Sequence, residues 1–405
     1  MIRDNYLDIN KIVKDKKIFK LFRAVENHGG VLRFVGGAVR NTLRGIESSD
    51  LDLATDLNPD ELVEACMEHG IKTVPIGIKF GTVGVIINGK VLEVTSLRKD
   101  IKSDGRHSEV VFTTDWEIDA SRRDLTINAV YADEKGNVFD YYNGISDLEN
   151  GIVRFIGNPN VRIKEDYLRI LRFFRFYADF GKGEIDKKSL QACKDNHNGL
   201  KQLSGERIRD ELSKILLSSQ AAKVTKIMAG NGILDNILPE VKYFENMDFI
   251  IKLCDKYNLE PNWLRRLFIC FNPDKILAES LANRLKLSKK DKSLFVSLSV
   301  NKTSLEQLTD KKSLSVLIYV HGKDFCRNKL ILEMAQQNQD IDNLQELLRF
   351  IDEADVPSFP IKGRDLIALG LKENSQIGIT LKKLETDWIN SGFSLSREDL
   401  LKKAI

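Results

Sequence analysis

Two aspartates separated by one residue, Asp50 and Asp52, have the type and spacing best suited to chemistry. They lie in SSDLDLAT (48–55), where polar and apolar residues alternate with the period of a β-strand. Both carboxylates therefore leave one face of the predicted strand, whereas Leu51 and Leu53 leave the other. Two neighbouring negative charges favour a bound cation, and hard oxygen ligands suit Mg²⁺, which in proteins often joins carboxylates to substrate phosphates. An isolated pair of this kind would favour an ordinary surface strand, so the neighbouring motifs decide between the two interpretations.

A glycine turn precedes the aspartates. VLRFVGG (31–37) predicts a short strand that ends at Gly36-Gly37, and the AVRNTLRG that follows predicts a helix. Backbone N–H groups at such a turn can hold triphosphate oxygens, and Arg40, one turn into the helix, can reach a phosphate. Gly-Gly-x-x-Arg followed by Asp-x-Asp therefore predicts a nucleotide site in which the two aspartates are catalytic and hold the metal.

A third acid lies on a predicted hairpin. FGTVGVIINGKVLEVTSL (80–97) predicts two strands joined at Asn88-Gly89, a dipeptide typical of tight hairpin turns. Glu93 stands among apolar residues in the second strand, where an acid without a partner is unfavourable. We predict that Glu93 completes the catalytic acids. The alternative is a glutamate on an edge strand that faces water.

A charged stripe is predicted in EDYLRILRFFRF (165–176), which has the apolar spacing of a helix. Asp166, Arg169 and Arg172 are spaced by three and share a stripe with Arg175. An arginine and an aspartate together offer donors and an acceptor to the Watson–Crick edge of a base. Such side chains can select a nucleotide without a nucleic-acid template. The alternative is a helix stabilised by internal ion pairs.

Several segments, taken in order, resemble the motifs of one known family. They are GGAVRN and SDLDLAT (36–55), SRRDLTINA (121–129), DYYNGISDLENGIVRFIG (140–157), EDYLRILRFFRF (165–176), GERIRDELSKIL (205–216), GILDNILPEV (232–241) and FPIKGRDLIALGL (359–371). The family is that of the class II tRNA nucleotidyltransferases, the bacterial and eukaryotic CCA-adding enzymes. The resemblance is close over residues 27–260 and looser beyond them.

This resemblance implies a fold and a division into domains. It implies an α/β head with a five-stranded mixed sheet of the polymerase-beta type, followed by all-α neck, body and tail domains in a seahorse-shaped molecule. Strand patterns over residues 30–140 and helical patterns from about residue 160 agree with that fold class. The predicted domains are a catalytic head (1–140), a neck for base recognition and RNA binding (141–215), a body (216–330) and a tRNA-binding tail (331–405).

The resemblance also implies roles for individual residues. Asp166 and Arg169 would face the base and Glu165 would shape the pocket, while Arg172 and Arg175 would contact phosphate or fix the stripe. Within SRRDLTINA, Arg123 would lie on the nucleotide phosphates, with Asp124 and Asn128 near the ribose. A ribose contact would let the site require the 2′-hydroxyl. Arg122 is taken as a surface charge outside the site.

The polar stretch Lys99–Ser108 predicts a flexible loop. In the family such a loop helps to switch specificity from C to A, and enzymes that add only CC lack it. Its presence favours addition of the complete CCA, although an ordinary exposed linker is the alternative.

The implied activity is template-independent addition of CCA to the 3′ end of tRNA from CTP and ATP, with Mg²⁺ as cofactor and release of pyrophosphate. The implied partner is tRNA, through its acceptor stem and elbow, and no obligatory protein partner is evident.

The nearest alternative is a bacterial poly(A) polymerase. Tyr167 after Glu165-Asp166, where such enzymes commonly carry proline, favours tRNA, as does Asn41-Thr42-Leu43. Further alternatives are an enzyme that adds only CC or only A, a non-catalytic RNA-binding protein and a two-metal nuclease.

Composition sets outer bounds on these interpretations. A chain of 405 residues with 42% hydrophobic and 30% charged residues is typical of a globular protein with two to four domains. The net charge of +3 neither requires nor excludes nucleic acid, and the basic segment RLKLSKKDKS (284–293) fits either a solvated helix face or an RNA contact. The five cysteines form no CxxC pair and the five histidines no His-Asp dyad, which argues against a zinc site, a disulfide framework or an appended phosphohydrolase. No secretory or membrane-spanning segment is evident, so the cytoplasm is the expected compartment.

Overall fold

A mixed seven-stranded sheet organises the amino-terminal half of the protein. The computed structural model describes residues 6–13, 15–46, 51–103, 108–240, 245–371 and 375–404. Over these residues the chain forms two compact units, Met1–Glu240 and Val241–Ile405. The finer domain boundaries at 140, 215 and 330 stay predictions.

The strand order in the sheet is β3-β4-β5-β2-β1-β8-β9. Strands β2 and β5 run parallel and the other neighbours antiparallel, so the expected mixed sheet is confirmed, although it has seven strands where the resemblance implied five. The separate pair β6-β7 is antiparallel. The strands are β1 Leu32–Val35, β2 Asp52–Thr55, β3 Lys72–Gly77, β4 Thr82–Ile87, β5 Lys90–Ser96, β6 Arg98–Ser103, β7 Ser108–Phe112, β8 Val130–Ala132 and β9 Val138–Asp140.

The local chemistry of two strands is as the sequence predicts. The β4–β5 hairpin turns at Asn88 (φ 53°) and Gly89 (φ 76°), the pair of positive φ angles that a tight two-residue turn requires. On β2, Leu53 is fully buried in the core below the sheet while Asp52 is exposed. The contrast between Asp52 and Leu53 is as predicted, but the alternation does not continue along the strand, because Ala54 and Thr55 are both buried. Asp50 lies outside the described residues.

The hairpin β6–β7 replaces most of the flexible loop predicted at Lys99–Ser108, and that prediction was wrong for the described part. Lys99 pairs with Val111 and Ser103 with Ser108, while 104–107 lie outside the described residues. Cross-strand pairing with a more apolar partner orders a strand that is itself mostly polar. A one-dimensional pattern does not show such a partner.

Helices cover the sheet and continue beyond it. The apolar spacing of residues 11–29 predicts a single amphipathic helix, which does not form. Asp15 instead accepts a hydrogen bond from the N–H of Lys17 (3.0 Å) and starts a new 3-10 turn, Lys16–Ile18. The segment NPDELVEACMEHG (58–70) predicts a helix capped by Asn58, and α4 begins there, with Asn58 and Glu61 forming a capping box. The helices of this unit are α1 Ile9–Ile12, α2 Phe19–Asn27, α3 Gly37–Leu43, α4 Pro59–Glu68, α5 Trp116–Ser121, α6 Gly144–Asn150, α7 Pro159–Glu165, α8 Leu168–Phe180, α9 Lys187–Asn196, α10 Gly205–Leu217 and α11 Ala221–Gly230. Further 3-10 turns are Ile78–Phe80, Thr126–Asn128, His197–Gln202 and Leu234–Asn236.

The helix predicted through residues 165–176 is broken at Asp166. Helix α7 ends at Glu165, Asp166 is extended (φ −158°, ψ 109°), and α8 starts at Leu168. The stripe of Arg169, Arg172 and Arg175 does lie on one helix, but Asp166 reaches the same region from the junction between two helices.

The second unit is helical over its described residues, as predicted. Its final segments gather around a small apolar cluster that includes Leu366, Leu384, Trp388 and Leu400. Within the described ranges of the whole chain, no helix is long and apolar enough to cross a membrane. The helices are α12 Glu245–Tyr257, α13 Trp263–Phe271, α14 Lys275–Arg284, α15 Lys289–Val300, α16 Leu305–Thr309, α17 Lys311–His321, α18 Lys323–Gln337, α19 Leu344–Glu353, α20 Gly363–Ala368, α21 Ser375–Asn390 and α22 Arg397–Lys403.

Candidate functional site

A cavity of about 530 Å³ lies between the glycine turn, the end of β2 and helices α8 and α10. It collects most of the residues that the sequence singles out, although Glu93 and Glu165 do not line it and Asp50 is outside the described residues. The cavity is lined by Gly36, Gly37, Arg40, Asp52, Arg122, Arg123, Asp124, Asn128, Asp166, Arg169, Arg172, Arg175, Phe176 and Lys214.

The glycine turn between β1 and α3 opens onto this cavity. Gly36 has φ 63° and ψ −120°, a conformation that residues with a side chain rarely adopt. A Cβ atom on Gly36 would lie 3.9 Å from Oδ2 of Asp52 and 3.9 Å from Nη1 of Arg123. The turn therefore brings its backbone close to one carboxylate and one guanidinium while leaving the space between them open.

Asp52 and Glu93 are neighbours across the parallel pair β2–β5, where they occupy the same register position. Strands in a sheet lie about 4.8 Å apart, and residues in register point to the same face. Both side chains are exposed. Because β5 lies between β4 and β2, Glu93 is not on an edge strand, which removes one part of the alternative interpretation. Within the described residues no group of three or more potential metal ligands is found.

Arg40 is held inside the wall of the cavity. Its guanidinium donates to Oδ1 of Asn128 and, at 2.9 Å, to Oδ1 of Asn41, and it lies over the rings of Phe176 and Phe180 at 4.8 and 4.6 Å. Burial, reinforced by the nearby positive charge of Arg175, lowers the pKa of Arg40 to about 10. Arg40 lines the cavity, and its partner Asn128 is another residue that was predicted for the site.

Arg123 is fixed by a buried acid that the sequence analysis missed. Asp119 accepts from Arg122 at 2.7 Å, from Arg123 at 3.1 Å and from the hydroxyl of Tyr131 at 2.8 Å. Burial alone would raise the pKa of Asp119, but the charges of the two arginines outweigh it and lower that pKa. Arg122 was wrongly taken as a surface charge, because it pairs with this buried acid and lines the cavity.

Asp124 forms a second fixed group. Its carboxylate accepts from Nε of Arg172 at 2.6 Å and from the side-chain amide of Asn128 at 2.9 Å. Burial would raise the pKa of Asp124, but the charge of Arg172 and these hydrogen bonds hold the pKa well below its usual range. Asp124 is therefore ionised at neutral pH, and it orients Arg172 and Asn128 toward the cavity.

The junction between α7 and α8 presents Asp166 and Arg169. Nη1 of Arg169 donates to Oε2 of Glu165 at 2.6 Å, so Glu165 orients Arg169 from behind the cavity wall. Oδ2 of Asp166 accepts from Nη2 of Arg207 on α10 at 2.7 Å. The acceptor Asp166 and the donor Arg169 are thus each held in place by a side chain of opposite charge.

Helix α10 supplies residues that the sequence analysis did not select. Arg207 binds Asp166, the buried Glu211 accepts from Arg175 at 3.1 Å, and Lys214 lines the cavity. The signal was present in GERIRDELSKIL (205–216). The three residues are spaced by four and three, which puts them on one helical stripe beside a buried apolar stripe.

Comparison with known proteins agrees with this fold. The profile of the family described as "Poly A polymerase head domain" matches residues 32–154, and that of "Probable RNA and SrmB- binding site of polymerase A" matches residues 184–245. The mitochondrial CCA tRNA nucleotidyltransferase 1 of Mus musculus is 35% identical over 394 residues, which cover 95% of this chain and 88% of that protein. The CCA-adding enzyme of Ligilactobacillus salivarius is 29% identical over 398 residues, covering 96% of each.

Solved structures show the same fold. The CCA-adding enzyme of Bacillus stearothermophilus in complex with CTP superposes with a TM-score of 0.78 at 23% identity over 96% of each chain. The Thermotoga maritima CCA-adding enzyme complexed with tRNA gives a TM-score of 0.64 at 21% identity over 99% of this chain and 98% of that one. The class defined by fold and cavity is a nucleotidyltransferase with a polymerase-type head. Within that class, the chain belongs to the family of CCA-adding enzymes, the CCA tRNA nucleotidyltransferases.

Proposed function

We propose that this protein adds C, C and A in turn to the 3′ end of tRNA, using CTP and ATP and releasing pyrophosphate, without a nucleic-acid template. The observation that carries the proposal is one cavity bordered by the glycine turn and Asp52 on one side and by Asp166 and Arg169 on the other. The relatives named above act on tRNA by name, and fold neighbours are CCA-adding enzymes in complex with CTP, ATP and tRNA.

The exposed carboxylates fit a divalent cation. Asp52 and Glu93 offer adjacent hard oxygen atoms on one face of the sheet, the donor type that Mg²⁺ prefers. We assign the metal to Asp50 and Asp52, with Glu93 as the third catalytic acid. CCA-adding enzymes generally depend on a divalent metal. When bound, it would lower the pKa of the attacking hydroxyl and neutralise the charge on the departing pyrophosphate.

The triphosphate is assigned to the side of the cavity beside the turn. The turn at Gly36-Gly37 and the guanidinium of Arg123 border that side. The N–H of Gly36 donates to the carbonyl of Val130 at 3.3 Å, while Asp119 and Tyr131 hold Arg123 in place as the fixed donor. A donor that is already oriented loses little freedom when the anion arrives.

The base and sugar are assigned to the opposite side. Arg169 supplies donors and Asp166 an acceptor for the Watson–Crick edge, and Arg172 and Arg175 complete the wall. Asp124 and Asn128 are placed at the ribose, where an acceptor and an amide can test for the 2′-hydroxyl. Because each base-facing group has a protein partner, its orientation is set before the nucleotide binds.

The reaction then needs mainly positioning. The 3′-hydroxyl oxygen of the RNA attacks the α-phosphorus of CTP or ATP, a new P–O bond forms, and the bond to the bridging oxygen of the β-phosphate breaks as pyrophosphate leaves. Holding the two reactants in line and surrounding the phosphates with fixed donors accounts for most of the expected rate enhancement.

The test is incorporation by purified protein with Mg²⁺ and labelled CTP or ATP. The RNA substrates are tRNA that ends before CCA, tRNA that ends in CC, and an unstructured RNA. Addition of C, C and A to the first, of A to the second, and then a stop supports the proposal. The same protein with Asp52→Asn is the control for contaminating activity.

Two alternatives remain as outcomes of this assay. One of the matching profiles is named for poly(A) polymerase, and long A tails on every RNA would assign that function. Stopping after CC, or adding only the final A, would assign a partial activity. The cytoplasm is proposed as the compartment, although three of the relatives are named as mitochondrial enzymes.

A further inference from the structure

A second cavity, of about 480 Å³, lies in the carboxy-terminal unit, apart from every residue assigned to the nucleotide. The amino-terminal turns of three helices border it: α13 with Asn262–Arg265, α15 with Lys290 and Asp291, and α18 with Asp324, Arg327 and Asn328. The first N–H groups of a helix have no partner within the helix and carry a partial positive charge. At α13 the side chain of Asn262 accepts from the N–H of Arg265, and at α15 the hydroxyl of Ser288 accepts from the N–H of Asp291. The other N–H groups of the three ends still give this space a partial positive charge.

Arg265 lies in the wall of this cavity without a carboxylate partner in the described part of the chain. It is only 7% exposed, its Nη2 donates to the carbonyl of Glu260 at 2.7 Å, and its Nε is buried without a hydrogen-bond partner. Burial, together with the positive charges of Arg327 and Arg266, lowers the pKa of Arg265. A buried guanidinium that makes one hydrogen bond to a neutral group is costly unless an anion completes it.

The acids at the rim are committed to other groups. Asp291 accepts a hydrogen bond from the hydroxyl of Ser288 at 2.8 Å, and Asp324 pairs with Lys290 at 3.4 Å. Neither reaches Arg265. The third acid of the lining, Glu260, is exposed and contacts Arg265 through its backbone carbonyl. Within the described residues, the cavity therefore joins a deep cation to three helix ends with no carboxylate bound to that cation.

We propose that this cavity binds one backbone phosphate of the tRNA, with Arg265 as the deep cation and Lys290 at its entrance. The helix ends and arginine are suited to phosphate oxygens, because they provide N–H donors and positive charge from several directions. The ring of Trp263, which also lines the cavity, gives the adjoining nucleoside a flat apolar surface. The choice of tRNA as the source of the phosphate rests on the proposed function.

The test compares two neighbouring arginines on α13. Arg265→Gln removes the proposed contact, and Arg266→Gln is the matched control, because Arg266 is at least as deeply buried (2% exposed) but does not line the cavity. The measurement is the dissociation constant of full-length protein for tRNA lacking CCA, by fluorescence anisotropy over a series of salt concentrations. Thermal unfolding verifies that each variant is folded.

The expected result is specific to Arg265→Gln. It weakens tRNA binding by about tenfold, the loss expected for one hydrogen bond to a charged group. It also lowers the slope of log K against log[salt] by about one, since one phosphate contact is lost. Arg266→Gln keeps the wild-type slope. An unchanged constant and slope in folded Arg265→Gln, or equal changes in both variants, overturns the proposal.

A second variant keeps the test decisive if Arg265→Gln does not fold. Asn328→Asp places a carboxylate in the same cavity. It is expected to raise the unfolding temperature, because Arg265 gains a partner, and to weaken tRNA binding, because the phosphate meets a like charge. Stabilisation with unchanged tRNA binding would show that no phosphate of the RNA enters the cavity.

A titration with inorganic phosphate distinguishes a cavity that binds a free anion from one that binds a phosphate of tRNA. If it raises the unfolding temperature of the wild type but not of Arg265→Gln, while both bind tRNA equally, the cavity takes a free anion and the proposal is wrong. All these measurements are of binding and need no turnover. A chain that bound tRNA as expected but added no nucleotide would refute the proposed function and leave this inference intact.

Discussion

At the scale of single residues, the candidate site consists of charges that are already paired. Arg123 is held by Asp119, Arg172 by Asp124, and Arg169 by Glu165. An arginine fixed in this way keeps part of its donor set for a ligand and does not need to be ordered when the ligand binds. The same pairing explains why these buried charges are tolerated without a nucleotide.

The two exposed carboxylates are expected to matter for catalysis and little for folding. Asp52→Asn should lower incorporation by at least about a hundredfold, as is typical when one preorganised charge is removed from a reaction centre. Glu93→Gln should lower it less and raise the Mg²⁺ concentration needed for half-maximal rate. Rates measured across a Mg²⁺ titration provide the test.

Glu64→Gln is the matched control for these two variants, because Glu64 is an exposed acid of the same unit that does not line the cavity. It should retain wild-type rates. A Glu93→Gln enzyme with the wild-type rate and Mg²⁺ requirement would remove Glu93 from the catalytic set, and an active Asp52→Asn enzyme would remove the metal assignment.

Asp124 should make the free energy of unfolding depend on pH in the acidic range. Its pKa is lowered in the folded protein from about 3.9 in the unfolded chain, so the folded state binds fewer protons. The stability it contributes is complete above about pH 4 and is lost as the pH falls toward the folded pKa. The difference in free energy of unfolding between wild type and Asp124→Asn should be constant from neutral pH down to about pH 5 and shrink below pH 4.

Asp179 provides an internal control of opposite sign. Burial raises its pKa, so its favourable contribution is present at low pH and is lost as the pH rises through the raised value. The advantage of wild type over Asp179→Asn should therefore grow on acidification. Urea unfolding at several pH values measures both differences. The same sign for both variants would contradict the charge arrangement described here.

At the scale of elements, the break between α7 and α8 sets the position of Asp166. No glycine or proline stands between Glu165 and Leu168, and the local sign of the break is Asp166 itself, whose Oδ1 accepts from the N–H of Leu168 at 3.1 Å. The other oxygen of this carboxylate is held by Arg207, which lies 41 residues further along the chain. Where local chemistry decides, as at Asn88-Gly89 or the cap at Asn58, the prediction was confirmed.

The same reasoning explains what else could be predicted. The alternation around Asp52 and the motif order were sufficient to place most of the cavity. The stripe containing Glu211 is visible in its own spacing, but its partner Arg175 lies 36 residues away, so a short window does not show what the stripe binds. The strand that starts near Lys99 is ordered by pairing with Val110 and Val111, which the polar pattern of residues 99–108 alone does not show.

Arg207 should act through the position of Asp166 and not by contact with the reacting atoms. Arg207→Gln is expected to raise KM for CTP and ATP about tenfold and to increase misincorporation of UTP, because the base acceptor loses its fixed orientation. Arg207→Lys should recover part of this selectivity. Steady-state kinetics with each nucleotide distinguishes this from a general loss of fold, which would lower kcat for all of them alike.

The β6–β7 hairpin is expected to affect A addition more than C addition. Its base is anchored where Phe112 packs against Gly81. Replacing residues 99–111 by Asn-Gly retains Arg98 and Phe112 as the closing pair. The shortened enzyme should add C at the wild-type rate but add A up to about a hundredfold more slowly, the effect of a misplaced reactant. Equal effects on the two rates would exclude a role in switching.

At the scale of the whole molecule, each unit contains its own candidate binding site. The nucleotide cavity is formed by residues of Met1–Glu240 alone, and the proposed phosphate cavity by residues of Val241–Ile405 alone. Each unit also has its own buried apolar cluster. Nucleotide binding by the first unit and tRNA binding by the second are therefore expected to be separable by truncating the chain.

A fragment of residues 1–240 should bind CTP with nearly the affinity of the full chain, since every described group that lines the nucleotide cavity is retained. It should use tRNA poorly, with KM for tRNA raised at least about tenfold, because the proposed phosphate contact and any neighbouring ones are lost. A minihelix that carries only the acceptor end should lose less. Calorimetric titration of CTP and kinetics on the two RNAs measure this, with circular dichroism to establish that the fragment is folded. A folded fragment that used tRNA as well as the full chain does would place all RNA recognition in the first unit and leave the second without a role in substrate binding.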